Sequence, residues 1–233
     1  MIEKVWSDLR AFDYWPEIGE GTLDTLTMTG CALLFTVIIG LLVGILLFLT
    51  SPAHRSAQPA YRRVQVWTYR LLSFSVNLLR SIPFLILLIL LIPATRAMVG
   101  TSLGVRGAVP PLVIASAPFF ARLVESVMRE VQGGVLEACR AMGATTRQTV
   151  FWALLPEASA PLCAAITVTA IALIGYSAMA GVIGGGGLGD LAVRYGYQRF
   201  DTQVMLVTVA ILVLIVQIVQ WGGDRLVARL AHR

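Results

Sequence analysis

The chain is organised around the stretch Leu136-Glu137-Ala138-Cys139-Arg140-Ala141-Met142-Gly143-Ala144-Thr145-Thr146, which runs on to Leu154-Leu155-Pro156-Glu157. The residues before Gly143 are good helix formers, and Gly143 can adopt the left-handed conformation that ends a helix. Thr145 can cap a second helix, with Gln148 three places on completing a capping box. Because a proline pushes the preceding residue out of the helical region, Pro156 is expected to end that helix. We call this predicted pair of short helices, residues 135–157, the polar island.

The composition places the polar island in a membrane protein. Of the 233 residues, 57% are hydrophobic and only 13% are charged, whereas a soluble domain has about 25% charged residues. Five apolar runs are each long enough, at about 1.5 Å per residue, to cross a hydrocarbon core of about 30 Å as a helix. The runs cover residues 26–49, 66–92, 108–128, 158–183 and 204–221. The sequence therefore predicts an all-α integral membrane protein with about five transmembrane helices and the polar island after the third.

Arginine is distributed unevenly around these predicted helices. If the polar island is cytoplasmic, most arginines lie on the cytoplasmic side, as the positive-inside rule requires. The amino terminus then lies outside a plasma membrane and the carboxyl terminus inside. Residues 1–20 lack the basic start and apolar run of a signal peptide, and their acidic and aromatic residues suit the outer interface. We predict an extracytoplasmic segment (1–20), a transmembrane domain (21–222) and a cytoplasmic tail (223–233).

Charged and helix-breaking residues mark two of the apolar runs. Pro83 should kink the second run, because it lacks an N–H and clashes with the preceding turn. Arg80 in mid-run costs about 2.5–3.5 kcal/mol, which favours a wet cavity or a partner carboxylate over a snorkelling side chain. Arg122, Glu125 and Arg129 share a helix face in the third run, so their side chains can pair. Pairing is favoured here over a proton relay.

Glycine marks two further sites. Gly40 and Gly44 are four residues apart in the first run, a spacing that lets another helix approach closely. The run Gly184-Gly185-Gly186-Gly187-Leu188-Gly189-Asp190 satisfies the letters of a dinucleotide fingerprint, but that fingerprint needs a preceding strand and a βαβ unit. A membrane helix precedes the run instead, which favours a flexible turn or a gate at the outer mouth.

The sequence contains none of the common catalytic or nucleotide-binding motifs. It has no G-x-x-x-x-G-K-[ST] phosphate loop, no Ser/His/Asp set and no paired carboxylates in an aqueous pocket. The three cysteines and two histidines are too scattered for a metal site. The arginines also lack the clustering of a nucleic-acid-binding surface. We therefore predict a protein that is not an enzyme and has no metal, no cofactor and no nucleic-acid partner.

Several segments are similar to one transporter family. Glu137-Ala138, followed by Gly143 and later by Leu155-Pro156, resembles the cytoplasmic "EAA" loop of the permease subunits of bacterial ATP-binding-cassette (ABC) importers. Longer segments resemble the methionine-importer branch of that family. They are Arg80-Ser81-Ile82-Pro83-Phe84, Ala117-Pro118-Phe119, Arg140-Ala141-Met142-Gly143-Ala144-Thr145, Gly175-Tyr176-Ser177-Ala178-Met179 and Gly222-Gly223-Asp224-Arg225. Cys139, the triplet Ala160-Pro161-Leu162 and the long amino-terminal segment depart from the family pattern.

The resemblance implies the type I ABC importer fold and a division of labour between subunits. The permease forms a homodimer in the lipid bilayer, and two ABC ATPase subunits bind ATP and Mg²⁺ below it. An extracytoplasmic lipoprotein delivers methionine, in its D or L form. The polar island is the coupling loop, and the implied ATPase-coupling residues are Glu137, Ala138, Arg140, Ala141, Gly143 and Ala144. The candidate pathway or gate residues are Arg80, Pro83, Tyr176, Ser177 and Met179.

Two alternatives stay open at this point. The importer could carry another polar amino acid or a small metabolite, because a shared fold does not specify a substrate. A self-sufficient channel or secondary transporter would instead use Arg80 and the Arg122/Glu125 pair as its charged elements. Inverted repeats would support that class, and none is visible in the sequence.

Overall fold

The computed structural model describes residues 14–51, 59–131 and 133–231, and over these residues the chain is helical, without a β-strand. The α-helices in chain order are α1 (Trp15–Thr50), α2 (Pro59–Ser81), α3 (Phe84–Leu90), α4 (Ile92–Val99), α5 (Gly104–Glu130), α6 (Gly133–Ala141), α7 (Thr146–Gln148), α8 (Leu155–Glu157), α9 (Ser159–Gly181), α10 (Gly187–Leu191) and α11 (Thr202–Ala231). Two π-helical segments are π1 (Thr149–Leu154), between α7 and α8, and π2 (Ala192–Tyr197), after α10. The predicted all-α class is confirmed.

Within the described residues, four helices are long and apolar enough to cross a membrane, namely α1, α5, α9 and α11. The second apolar run differs, because α2 and α3 meet at an angle of 102°. The bend predicted at Pro83 is confirmed, but it breaks the helix instead of kinking it, and the count reaches five only if the bent pair is a single broken span. Pro83 explains the break, because its ψ of 134° is extended rather than helical and its ring excludes a continuous helix.

Helices α1 and α5 form the most extensive contact in the bundle. Gly44 lies so close to α5 that a Cβ built on it would be 2.5 Å from the Cβ of Val124. Thr36 adds a buried hydrogen bond to Ser116, with 2.6 Å between the two hydroxyl oxygens. The close approach predicted from Gly40 and Gly44 is therefore confirmed, and the helix that approaches is the third apolar run.

The predicted end of the second island helix at Pro156 is wrong. Leu155 keeps helical φ and ψ angles of −66° and −43°. The N–H of Ala158 donates to the carbonyl of Leu154 at 2.9 Å, and the N–H of Leu162 donates to the carbonyl of Ala158 at 2.9 Å. The wide π turn before the proline moves the preceding carbonyls away from its ring, which removes the clash that ends an ordinary α-helix. The helical conformation therefore passes through Pro156 and is interrupted at Ala158, whose ψ of 2° separates α8 from α9.

The glycine run at residues 184–190 is a close-packed turn rather than the flexible one predicted. Three of its glycines have positive φ angles between 77° and 83°, which glycine adopts without steric cost. The N–H of Leu188 donates to the buried hydroxyl of Thr25 at 2.9 Å. A Cβ on Gly187 would lie only 2.6 Å from the same hydroxyl. The turn therefore fastens the end of α9 to α1 through backbone contacts that only glycine permits.

Two predicted boundaries fall inside helices. Helix α1 begins at Trp15, so residues 15–20 of the predicted outer segment are its first turns. Helix α11 continues to Ala231, so residues 223–231 extend the last helix instead of forming a separate tail. Residues 1–13 of the predicted outer segment lie outside the described residues. With 36 residues, α1 is about 54 Å long and reaches beyond a hydrocarbon core of about 30 Å.

One exposed residue holds a strained backbone conformation. Phe200 has a φ of 58° and is 85% exposed, and the left-handed conformation costs about 1–2 kcal/mol for a residue with a Cβ. We expect Phe200→Gly to stabilise the protein by about 1 kcal/mol, because glycine removes this strain and little burial is lost. Thermal unfolding in detergent measures the effect. Tyr197→Gly, at an exposed aromatic without a positive φ, is the control and should not stabilise; a lower unfolding temperature for Phe200→Gly would contradict the strain.

Candidate functional site

The polar island folds as a hairpin of two helices. Helix α6 ends at Ala141, and Gly143 has a φ of 71°, the left-handed conformation that turns a chain out of a helix. The N–H of Ala144 donates to the carbonyl of Cys139 at 3.0 Å and closes the turn. The predicted glycine turn is confirmed.

The second helix of the hairpin begins at a complete capping box. The N–H of Gln148 donates to the hydroxyl of Thr145 at 3.3 Å, and the N–H of Thr145 donates to the side-chain carbonyl of Gln148 at 2.8 Å. Both N–H groups would otherwise lack an intrahelical partner. The predicted cap is confirmed, and with the glycine turn it gives the hairpin a defined shape.

One side of the hairpin is anchored in the bundle. Leu136 and Val150 pack in an apolar cluster with Phe48 of α1 and Phe120 of α5. Cys139 is also buried on this side. Because these side chains are in direct contact, a displacement of the hairpin acts on α1 and α5 through packed atoms.

The other side of the hairpin presents the predicted coupling residues. The exposed members are Glu137, Ala138, Ala141 and Gly143, and Ala144 is half-buried. Arg140 also lies in α6, and its side chain is outside the described part of the structure. A Cβ on Gly143 would meet no atom within 4 Å. The hairpin therefore offers a surface of small side chains with open space above its turn, which permits the close approach of another protein.

Three large apolar side chains beside the hairpin are absent from the predicted set. Met142 is 77% exposed, Phe151 57% and Trp152 85%. Phe151 and Trp152 line an open groove together with Arg147 and Gln148. Aromatic residues and arginine are enriched in protein interfaces. The sequence signal for these residues is a pair of adjacent aromatics, Phe151 and Trp152, inside a polar segment. Consecutive residues of a helix do not face the same side, so the two rings cannot both point straight into the bundle.

An aromatic contact joins the two candidate pathway segments. Phe84, the first residue of α3, stacks on Tyr176 of α9 with ring centroids 4.6 Å apart and planes 17° from parallel. Pro83 sets the direction in which α3 leaves α2, and so it places Phe84 against α9. Pro83 and Tyr176 are thus brought together through one ring, although they are distant in the sequence.

The other three pathway candidates differ in accessibility. Arg80 is exposed in the last turn of α2, and its guanidinium has no ion-pair partner among the described residues. The carboxylate anticipated for Arg80 is therefore not found in this part of the protomer. Met179 is 40% exposed. Ser177 is buried and donates to the carbonyl of Ile174 at 2.8 Å, so in this conformation its hydroxyl is not available to a pathway.

Two sets of charged groups in the described residues form ion pairs. Glu125 accepts hydrogen bonds from both Arg122 and Arg129, which confirms the predicted pairing. Asp190 and Arg194 form a second pair at 2.9 Å. In the part of the chain that the structure describes, no group of three or more His, Cys, Asp or Glu side chains is placed to hold a metal ion.

Relatives of this chain are membrane subunits of transport systems. Residues 56–232 match the family described as binding-protein-dependent transport system inner membrane component. The chain is 45% identical over 219 residues to a probable D-methionine transport system permease protein, MetI, of Pasteurella multocida, covering 94% of this chain and 98% of that one. It is 46% identical over 224 residues to the methionine import system permease protein MetP of Bacillus subtilis, covering 96% of each.

Solved structures show the same architecture. An inward-facing structure of the MetNI methionine ABC transporter matches with a TM-score of 0.88 at 44% identity, covering 93% of this chain and 97% of that one. An amino acid ABC transporter shares the fold with a TM-score of 0.73 at 22% identity. The resemblance carried by the polar island and the predicted importer fold are thereby confirmed. The chain belongs to the family of binding-protein-dependent transport system inner membrane components, the multi-pass permease subunits of ABC importers, in which a partner subunit hydrolyses ATP.

Proposed function

We propose that this chain forms the path for methionine in an ATP-driven importer and works as a homodimer with two ABC ATPase subunits. One observation carries the proposal. An exposed hairpin of small residues, shaped by a glycine turn and a capping box, belongs to a chain that matches, over nearly its whole length, proteins named as methionine permeases. Such a hairpin suits docking into a cleft on an ATPase, because small side chains permit close approach.

The hairpin transmits movement in this proposal. Closure of the ATPase subunits on ATP displaces the hairpin, and the packing of Leu136 and Val150 on α1 and α5 passes the displacement to the bundle. ATP favours one arrangement of the bundle and the loaded binding protein favours the other, each by its difference in affinity for the two. The residues assigned to ATPase coupling are Glu137, Ala138, Arg140, Ala141, Gly143 and Ala144.

The bend at Pro83 is the proposed gate region. Arg80 is exposed beside the bend, and its guanidinium can bind the carboxylate of an amino acid in two hydrogen bonds. Tyr176 holds the other side of the bend through its stack with Phe84, and Met179 is exposed one turn along α9.

The proposed orientation places the amino terminus outside and the carboxyl terminus in the cytoplasm. The basic end of α11 supports it, because Arg225 and Arg229 follow the last apolar run and arginine is in excess on the cytoplasmic side of membrane proteins. A methionine-binding lipoprotein docks on the outer side. ATP and Mg²⁺ are bound by the ATPase subunits, so the permease needs no cofactor of its own.

Reconstitution tests the proposed function directly. The permease, its ATPase and its binding lipoprotein are placed in liposomes, and uptake of labelled L- and D-methionine is measured with ATP and with a non-hydrolysable analogue. We expect uptake only with ATP and the binding protein. Uptake that persists without ATP would show a self-sufficient transporter, and preference for another amino acid in competition would reject methionine as the substrate.

Trp152 offers a test of the docking surface beyond the predicted residues. We expect Trp152→Ala to weaken association with the ATPase by about tenfold, as the loss of an interface tryptophan does. The unfolding temperature should not change, because the indole is 85% exposed. Trp221→Ala, at a tryptophan 58% exposed on α11, is the control. Equal ATPase affinity for both variants would exclude Trp152 from the interface.

A further inference from the structure

A charged cluster at the end of α5 is more extensive than the pairing within that helix. Glu125 is 3% exposed, and both of its carboxylate oxygens accept hydrogen bonds. Arg122 donates to one oxygen at 2.5 Å, and Arg129 donates to the other. A buried carboxylate is stable only while such partners remain in place, because an unpaired buried charge is strongly unfavourable. The three side chains are therefore fixed relative to one another.

The two arginines also reach across to α2. Arg122 donates to the backbone carbonyl and the hydroxyl of Ser73 and, at 3.0 Å, to the side-chain oxygen of Asn77. Arg129 donates to the hydroxyl of Tyr69 at 3.1 Å. The three acceptor residues on α2 are four positions apart, so they form one stripe along the helix. Glu125 thus holds two guanidinium groups against two turns of α2, an arrangement that we call the arginine clamp.

The arginine clamp provides much of the attachment of α2. Among the described side chains of this helix, only Val76 is fully buried. Val76 packs with Ala121 of α5 and Leu47 of α1. Tyr69 and Leu72 of α2 pack, partly buried, against the same cluster, and most of the other described α2 side chains are exposed. Apolar packing therefore holds α2 at one small patch. The polar contacts to α5 therefore decide whether α2 follows the movement of α5.

The position of the clamp gives it a mechanical role. Arg129 lies directly before the end of α5 at Glu130, and α6, the first helix of the hairpin, begins at Gly133. At its other end, α2 leads to the bend at Pro83. We propose that Glu125 is a positioning residue that makes α2 and α5 move as one body, so that a displacement of the hairpin reaches the bend. This inference rests on the proposed function, because it assumes that an ATPase moves the hairpin.

The first test separates ATP hydrolysis from transport in the reconstituted complex. We expect Glu125→Gln to leave ATP hydrolysis within about twofold of normal and to lower the methionine carried per ATP by roughly tenfold, a typical size for coupling between sites. Glu125→Asp, which restores the charge, should recover much of this ratio. Asp224→Asn is the control, because Asp224 accepts only from Gln220 of its own helix among the described contacts. An unchanged ratio in Glu125→Gln would overturn the proposal.

A second test begins with a protein that keeps Glu125, so its first measurement does not depend on the folding of that variant. The native cysteines Cys31, Cys139 and Cys163 are first replaced. The substitutions Val76→Cys and Ala121→Cys are then introduced where α2 meets α5, and oxidation joins the two new cysteines. If the two helices move together, the cross-link leaves transport unchanged in the protein that keeps Glu125. In Glu125→Gln, the same cross-link restores the methionine carried per ATP. A cross-link that blocks transport would show that α2 slides on α5 and would overturn the proposal.

The two proposals fail in different ways. If the complex without a cross-link takes up no methionine when ATP is added, the proposed function is contradicted. The arginine clamp can still be tested in that case, because the binding protein's stimulation of ATP hydrolysis is measured without any methionine uptake. A cross-link that abolishes this stimulation overturns the clamp, and one that preserves it supports the clamp.

Discussion

Gly143→Val is expected to abolish ATP-driven uptake by the reconstituted complex while the permease remains folded in the membrane. Gly143 has a φ of 71°, which costs a residue with a Cβ about 1–2 kcal/mol. No atom of the permease lies within 4 Å of a Cβ at this position. The valine methyl groups would therefore project into the open space where we propose that the ATPase docks, and the strained turn would change the shape of the hairpin. Uptake in liposomes, with co-purification of the ATPase, measures both effects.

Two variants control this experiment. Gly143→Asn separates strain from bulk, because asparagine tolerates the left-handed conformation, and we expect it to retain part of the uptake. Gly134→Ala adds a methyl group to a nearby glycine that also has open space around it, and it should leave uptake unchanged. Normal uptake by Gly143→Val would contradict the docking role of the hairpin.

Gly44→Ala is expected to destabilise the permease by about 1–3 kcal/mol, a large effect for one methyl group. The new Cβ would lie 2.5 Å from the Cβ of Val124 and 2.7 Å from the backbone oxygen of Ala121. The backbone oxygen cannot rotate away, so α1 and α5 must separate. Because both helices contact the hairpin through the cluster that contains Phe48 and Phe120, uptake should fall as well. Thermal unfolding in detergent measures the loss.

Two other glycines of α1 calibrate this prediction. A Cβ on Gly30 would meet no atom within 4 Å, so Gly30→Ala should be neutral or slightly stabilising through its higher helix propensity. Gly40→Ala should also destabilise, somewhat less than Gly44→Ala. Its Cβ would lie 2.8 Å from the buried ring of Phe120 and 2.9 Å from the backbone oxygen of Ala117, both longer than the distances at Gly44. Equal stabilities for the three variants would contradict the close packing of α1 on α5.

Local chemistry was readable from the sequence. The turn at Gly143 and the cap at Thr145 depend on residues within four positions of each other, and the structure contains both. The pairing of Glu125 with its two arginines has the same origin, since one helix turn brings these side chains together. The close approach at Gly44 was also predictable, because a missing side chain permits contact whatever the partner helix.

Contacts between distant segments were decided by the tertiary structure. The angle of 102° across Pro83 and the stack of Phe84 on Tyr176 depend on where α9 lies. The glycine run became a buried turn because Thr25 of α1 accepts its backbone N–H. Neighbouring residues determine which conformations are possible at each position, whereas packing between helices selects one of them and brings the arginine clamp onto α2.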